Sequence, residues 1–339
     1  DVICCVRDKN RFYCPVELDD QVTVIEVDFL NQEPLASIPT EIDAAYYLIH
    51  SMSGSASNFD DLESESASNF VARLNKTLVK QVIYLSGIVN DDSLSKHLSS
   101  RKKVEEILNT GSFATTTLRA GIIVGSGSAS FEIILDLVNK LPVMITPKWL
   151  NTKCQPIAIT DVLELLSKSL LNPETYNQSF DIGGPDILTY KEMLLGFAET
   201  KNLKRWIVTI PIMTPKLSSY WLYFVTSTSY RLASALVSSM KVEVVCNDTR
   251  INELLDVSPM TYKQALSRAL IKVDEDKVAS SWKDSLVSYR EKYVQSQKEL
   301  LGVASTVSKD KLGELERFQN QFYIQLLNIH DVKKDVKSH

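Results

Sequence analysis

The segment 82–127 constrains the fold more than any other part of this chain. Val82-Ile-Tyr-Leu-Ser86-Gly87 is a run of apolar β-formers, Leu94 to Leu108 carries helical spacing, and Thr115 to Gly125 is again rich in strand formers. Two strands joined through a helix are expected to lie parallel, because a parallel pair needs a long crossover and a two-residue turn cannot supply one. The expected class is therefore α/β, with a doubly wound parallel sheet. Ligands of such sheets bind beyond the carboxyl ends of the strands. Ser86 and Gly121 fall there.

The helix between these strands carries the chemistry. At 100° per residue Leu94, Leu98 and Leu108 share a face, and His97 and Arg101, four residues apart, lie on that same face. Polar groups on an inward face need a partner or a function. Taken alone, the pair reads as an arginine bound to a buried carboxylate beside a satisfied core histidine.

Three separated stretches change that balance. They are Tyr84-Leu-Ser86-Gly87, Leu94-Ser-Lys-His97-Leu-Ser-Ser-Arg101-Lys-Lys-Val104-Glu105, and Leu118-Arg119-Ala120-Gly121-Ile-Ile-Val-Gly125 continuing to Phe131-Glu132. Together they resemble the atypical short-chain dehydrogenase/reductase superfamily, and within it the NmrA-like, YbjT-type NAD(P)-binding proteins. The resemblance spans roughly residues 1–284. It implies a Rossmann-like domain, a nicotinamide cofactor and a small-molecule substrate.

Active members of that superfamily use a serine with Tyr-x-x-x-Lys, the lysine ammonium lowering the tyrosine pKa. Here His97-x-x-x-Arg101 occupies those places. Histidine exchanges protons near neutral pH, whereas arginine anchors anions without shuttling protons. By resemblance, Ser86 orients a carbonyl oxygen, His97 donates a proton and Arg101 anchors the ribose or its charge. The nicotinamide then lies between His50-Ser51-Met52 and Ala120-Gly121-Ile122. Asp28 and Phe29, at the end of the strand Val22 to Val27, contact the adenine.

Val2-Ile-Cys-Cys-Val6 reads as a strand, and the resemblance makes it the second of the sheet, with the first strand and the glycine-rich phosphate turn lying outside the sequence. A residue at its carboxyl end selects the cofactor. Arg7 there points to NADP through a 2′-phosphate contact, and Asp8 keeps NAD open. A solvated charge at a strand end is the alternative reading of Arg7.

The rest of the chain supplies context. Ala44 to Met52 is expected to be a buried strand, Ser53 to Ser68 a polar loop, Glu65 to Lys80 a helix and Phe131 to Leu141 another. Ile145-Thr-Pro147-Lys-Trp149 reads as a break, and Pro156 to Val162 as a strand entering a helix. Phe180 to Pro185 reads as a strand and turn. A helix follows from Thr189, where Glu192 completes a capping box. The region 186–284 weakens the β-α alternation and is expected to form the substrate side, 1–185 being the nucleotide domain. Its aromatic run, Pro211 to Val237, reads as core, greasy pocket or monotopic membrane surface, and is too interrupted by polar residues to span a bilayer. The tail 285–339 repeats apolar residues at Leu312, Leu315, Phe318, Phe322, Leu326 and Ile329, the spacing of an amphipathic helix that self-associates or meets a partner.

A net charge of -5 gives no nucleic-acid footprint, and the 5 cysteines lack paired metal spacing, so reduced thiols in a cytoplasmic protein without zinc are expected. Two functional readings follow. One is an NADP-preferring oxidoreductase acting on a carbonyl or quinone-like small molecule. The other is a non-catalytic NAD(P)-sensing regulator or assembly factor, which loss of the Tyr-x-x-x-Lys pair favours. Interaction through the aromatic region and tail is a third.

Overall fold

The computed structural model describes residues 1–12, 14, 16–31, 33–49, 59–88, 96–210 and 240–274. Asp1–Ser281 is one compact unit, and the second, Trp282–His339, lies outside the described residues together with the predicted tail helix. The aromatic run predicted over Pro211 to Val237 lies outside them as well.

Strands β3 (Ala44–Tyr47), β4 (Gln81–Gly87), β5 (Ala114–Ala120) and β10 (Gln178–Ile182) form a parallel sheet in the order β10-β5-β4-β3. A separate parallel pair, β1 (Val2–Val6) and β2 (Val22–Glu26), precedes it in the chain. Helices α1 (Phe59–Leu74) and α2 (Lys96–Leu108) provide the crossovers from β3 to β4 and from β4 to β5. The strand–helix–strand reading and the α/β class agree with this architecture.

Period-two alternation along β4 sorts its side chains onto two cores. Val82 and Tyr84 join Tyr47 beneath α1 and α2, where Ala67, Phe70, Val71, Val104 and Leu108 are buried. Ile83 turns to the opposite face, shared with Leu118, Ala120 and Phe180. Helix α4 (Ile159–Lys168) covers that face with Val162, Leu165 and Leu166, and α6 (Arg250–Leu254) adds Ile251. At the amino end of β4 the buried Gln81 amide donates to Thr116 Oγ1 (2.8 Å) and to the Ser169 carbonyl (2.9 Å), so a polar side chain inside the sheet is satisfied.

Several boundaries differ from expectation for physical reasons. The run of Ser, Asp and Glu read as a loop belongs to α1 from Phe59 onward. Its acidic residues sit at the helix amino end, where the dipole favours them, and small residues such as Ser66 and Ala67 let the helix pack closely on the sheet. The strand predicted over Thr115 to Gly125 ends at Ala120. Gly121 breaks it, and β6 (Ile123–Val124) leaves to pair with β9 (Ile157–Ala158). A Cβ at Gly121 would stand 3.1 Å from a Val244 methyl and 3.2 Å from the Gln155 carbonyl oxygen, so close backbone approach accounts for the break. The predicted break at Ile145 to Trp149 is instead largely strand. Here β7 (Val143–Pro147) pairs in parallel with β12 (Trp206–Ile210), and Pro147 ends it.

A third core unites α3 (Ala129–Lys140), α5 (Tyr190–Thr200) and α7 (Tyr262–Asp274) through Phe131, Leu137, Phe197 and Leu266. The antiparallel pair β8 (Lys153–Cys154) and β11 (Leu188–Thr189) leads into α5. The capping box is formed, with Thr189 Oγ1 accepting from the Glu192 amide at 3.1 Å and Glu192 accepting from the Thr189 amide at 2.7 Å. No helix among the described residues is long and apolar enough to cross a membrane.

Candidate active site

The site is built at the carboxyl ends of β4 and β5. Gly87 stands opposite Ala120 in register, and the Ile88 amide donates to the Ala120 carbonyl at 3.1 Å. This holds the Ser86-Gly87 end of one strand against the Ala120-Gly121-Ile122 end of the next. Ser86 is buried, and among the described residues its hydroxyl finds no hydrogen-bond partner of acceptable geometry. A buried hydroxyl left unsatisfied costs about 1–3 kcal/mol, which is tolerated where a ligand completes it.

Helix α2 is latched to β4 beside that serine. Arg101 Nη1 donates to the Leu85 carbonyl at 3.2 Å, while the Tyr84 hydroxyl donates a long 3.5 Å bond to the Arg101 carbonyl. The carboxylate buried in this wall is Glu63 of α1, which accepts from the Ser100 hydroxyl. Burial pushes the Tyr84 phenol up, and the Arg101 guanidinium, with the neighbouring Ser86 hydroxyl, pulls it partly back. Tyr47 behaves alike, raised chiefly by burial and then by Tyr84 and Glu63, with Arg101 opposing. Its ring stacks edge-on against Tyr84 with centroids 5.7 Å apart.

A second clamp seats the other end of α2. Glu105 accepts from Arg119 Nε at 3.1 Å and Nη2 at 2.6 Å, and from the Ser179 hydroxyl at 2.6 Å, tying α2 to β5 and β10. The bidentate geometry is the strong form of this contact.

The structure therefore brings together Ser86, Arg101, Ala120, Gly121 and Ile122. His97 lies in the first turn of α2, but its side chain is outside the described residues, as are His50, Ser51 and Met52. Arg7 is exposed just past β1, with Asp8 beside it capping the next turn through the Asn10 amide. Asp28 follows β2 and accepts from the Leu30 amide at 3.1 Å. Phe29 is buried against Phe70, with ring centroids 5.5 Å apart, so its ring serves the core beneath α1. Sequence reasoning passed over Tyr84, Ser100 and Glu63. Tyr84 was accessible in principle, since residues i and i+2 of a strand share a face and it stands two before Ser86.

No protein-family model and no curated protein sequence matches the chain. Solved structures do. A nucleoside-diphosphate-sugar epimerase from Staphylococcus aureus aligns at 15% identity with a TM-score of 0.61, covering 78% of this chain and 89% of its own. An NADPH-dependent quinone oxidoreductase from Escherichia coli, complexed with NADPH, aligns at 14% identity with a TM-score of 0.60 over 78% and 89%. The triphenylmethane reductase of a Citrobacter species, complexed with NADP(H), aligns at 15% identity with a TM-score of 0.60 over 79% and 90%. The chain shares their Rossmann-like fold, in agreement with the superfamily that its sequence resembles.

Proposed function

We propose that this chain is an NAD(P)-dependent oxidoreductase, preferring NADP and acting on a carbonyl or quinone-like small molecule. The observation that carries this reading is the Ser86 hydroxyl, buried at the carboxyl end of β4 with no hydrogen bond of acceptable geometry and set beside the end of β5. Similarity of fold to NADPH-dependent reductases supports it, with function resting on the site rather than the fold. When bound, the reduced nicotinamide supplies a hydride to an electrophilic carbon.

The chain's own residues have three tasks. Ser86 donates a hydrogen bond to the substrate oxygen as negative charge gathers on it, the group whose missing partner the substrate provides. His97, one turn before Arg101 on α2, delivers the proton that neutralises that oxygen. Arg101, held by the Leu85 carbonyl, contributes a fixed positive charge to the wall of the site. Arg7 meets a 2′-phosphate from the end of β1. A cytoplasmic location and self-association or partner contact through 285–339 accompany this reading.

A non-catalytic nucleotide sensor is the second reading, favoured by the absence of Tyr-x-x-x-Lys at 97–101. The experiment that separates the two follows NADPH oxidation at 340 nm with a panel of quinones and aldehydes. Turnover that falls at least a hundredfold in His97→Ala, with NADPH affinity retained, supports the enzyme. Tight NADPH binding without turnover on any acceptor overturns it in favour of the sensor.

A further inference from the structure

The parallel pair β7–β12 is covered on one face only. Met144, fully buried, and Ile207 turn inward to the core built by α3, α5 and α7. Residues in register across a ladder share a face, and successive residues of a strand alternate between faces. Val143 stands opposite Trp206, and Val208 lies two residues further along β12, so these three share the outer face. They are 55%, 71% and 54% exposed. Parallel sheets are ordinarily buried on both faces, and tryptophan is on average a highly buried side chain.

The charge around this face is one-sided. Residues 140–153 and 201–210 hold Lys140, Lys148, Lys153, Lys201, Lys204 and Arg205 and no aspartate or glutamate, in a chain whose net charge is -5. The Trp206 amide donates to the Pro142 carbonyl at 3.0 Å, which brings the approaches to both strands together at their amino ends. Lys201 and Lys204 lie on one of those approaches, and Lys148 follows the carboxyl end of β7. The acids that precede the two stretches are already engaged, Asp136 with Lys140 at 3.1 Å and Glu199 with Lys263 at 3.1 Å. Arg205 is committed to the end of α3, where it donates to the Val138 carbonyl and suits the helix dipole. Lys148, Lys201 and Lys204 form no ion pair among the described residues. Lysines at strand ends deter edge-to-edge pairing, but an open tryptophan beside two valines invites contact.

We propose that this face docks on an anionic lipid bilayer surface. Trp206, Val143 and Val208 enter the interfacial layer, and Lys148, Lys201 and Lys204 meet lipid phosphates around them. Tryptophan favours the boundary between hydrocarbon and water, where its ring is sheltered and its N–H stays wet. An apolar centre with cations at both ends matches a surface that offers hydrocarbon and phosphate within one side chain's length of each other. Three apolar side chains give only marginal attachment, so the contact is reversible and depends on attraction to negatively charged headgroups.

Vesicle sedimentation without nucleotide tests this independently of the oxidoreductase reading. The 339-residue chain should bind vesicles of equal parts phosphatidylglycerol and phosphatidylcholine at least tenfold more strongly than phosphatidylcholine alone, and 0.5 M salt should abolish the difference. Trp206→Ser should weaken that binding at least tenfold and leave the unfolding midpoint unchanged, since the side chain is mostly in solvent. Lys148→Gln, Lys201→Gln and Lys204→Gln combined should remove the preference for the anionic lipid. Absence of binding would overturn the proposal, and so would binding that Trp206→Ser leaves intact, which would assign attachment to another part of the chain. Acrylamide quenching that is no greater in the lipid-free parent than in Trp206→Phe would show the indole already covered, and would overturn it too. Self-association that Trp206→Ser abolishes, without vesicle binding, would assign the face to a second copy instead.

Discussion

Replacing Glu105 by alanine tests how α2 is seated over the sheet. Its carboxylate is largely buried, with 9% of the side chain exposed, and it accepts three hydrogen bonds, two from Arg119 and one from Ser179. Hydrogen bonds to a charged group contribute about 1.5–3 kcal/mol each, but they share one acceptor group and do not add. Removing one member of a fully buried pair costs about 3–5 kcal/mol because it strands the other charge. Arg119 is 32% exposed, so water recovers part of that cost, and Glu105→Ala should destabilise by about 2–3 kcal/mol. Urea unfolding should show the midpoint fall with the m-value unchanged. In the double-mutant cycle with Arg119→Ala, a coupling of about 1–2 kcal/mol is expected, barely altered by 0.5 M salt since the pair is shielded from solvent ions. A loss under about 0.5 kcal/mol, or a coupling that salt abolishes, would refute the idea that this clamp holds α2.

Three further outcomes follow from particular contacts. Leu108→Ala, at a fully buried position between α2 and the sheet, should cost about 2–5 kcal/mol by calorimetry or denaturant unfolding. Thr189→Ala should cost about 1 kcal/mol at pH 7 by removing the cap of α5. Thr189 also holds the Glu192 carboxyl below its usual 4.5, so that contribution is present above pH 4.5 and is lost as pH falls through the lowered value; the gap between variant and parent should narrow there. Arg7→Ala should weaken NADPH more than NADH by about 1.5–3 kcal/mol, the range for charge-assisted bonds to a 2′-phosphate, and equal loss for both nucleotides would refute the NADP preference.

The sheet was legible because its signals are local. The apolar run of β4 and the helical spacing of α2 fix a strand–helix–strand unit without reference to the rest of the chain. The capping box at Thr189 is likewise written in four residues. What escaped depends on distant partners. Gly121 ends β5 because Val244 and Gln155 crowd it, and β7 exists because Trp206–Ile210 pairs with it some sixty residues later. The amino half of α1 hid behind serines and aspartates whose weak helix propensity is overruled by packing on the sheet. At the site, the nearness of the Ser86-Gly87 end of β4 to the Ala120-Gly121 end of β5 could be read from strand ends alone. The latch between Arg101 and Leu85, and the placing of Glu63 against Ser100, needed the relative positions of α1, α2 and β4.

The central claim is that a nicotinamide nucleotide sits at the carboxyl ends of β4 and β5. It is tested most directly by titrating NADPH into the protein while mapping amide exchange. Saturable enhancement of nicotinamide fluorescence, with slowed exchange confined to the segments around Ser86-Gly87 and Ala120-Gly121-Ile122, is the predicted result. Saturable binding whose protection falls elsewhere, or no binding at millimolar nucleotide, would contradict the account.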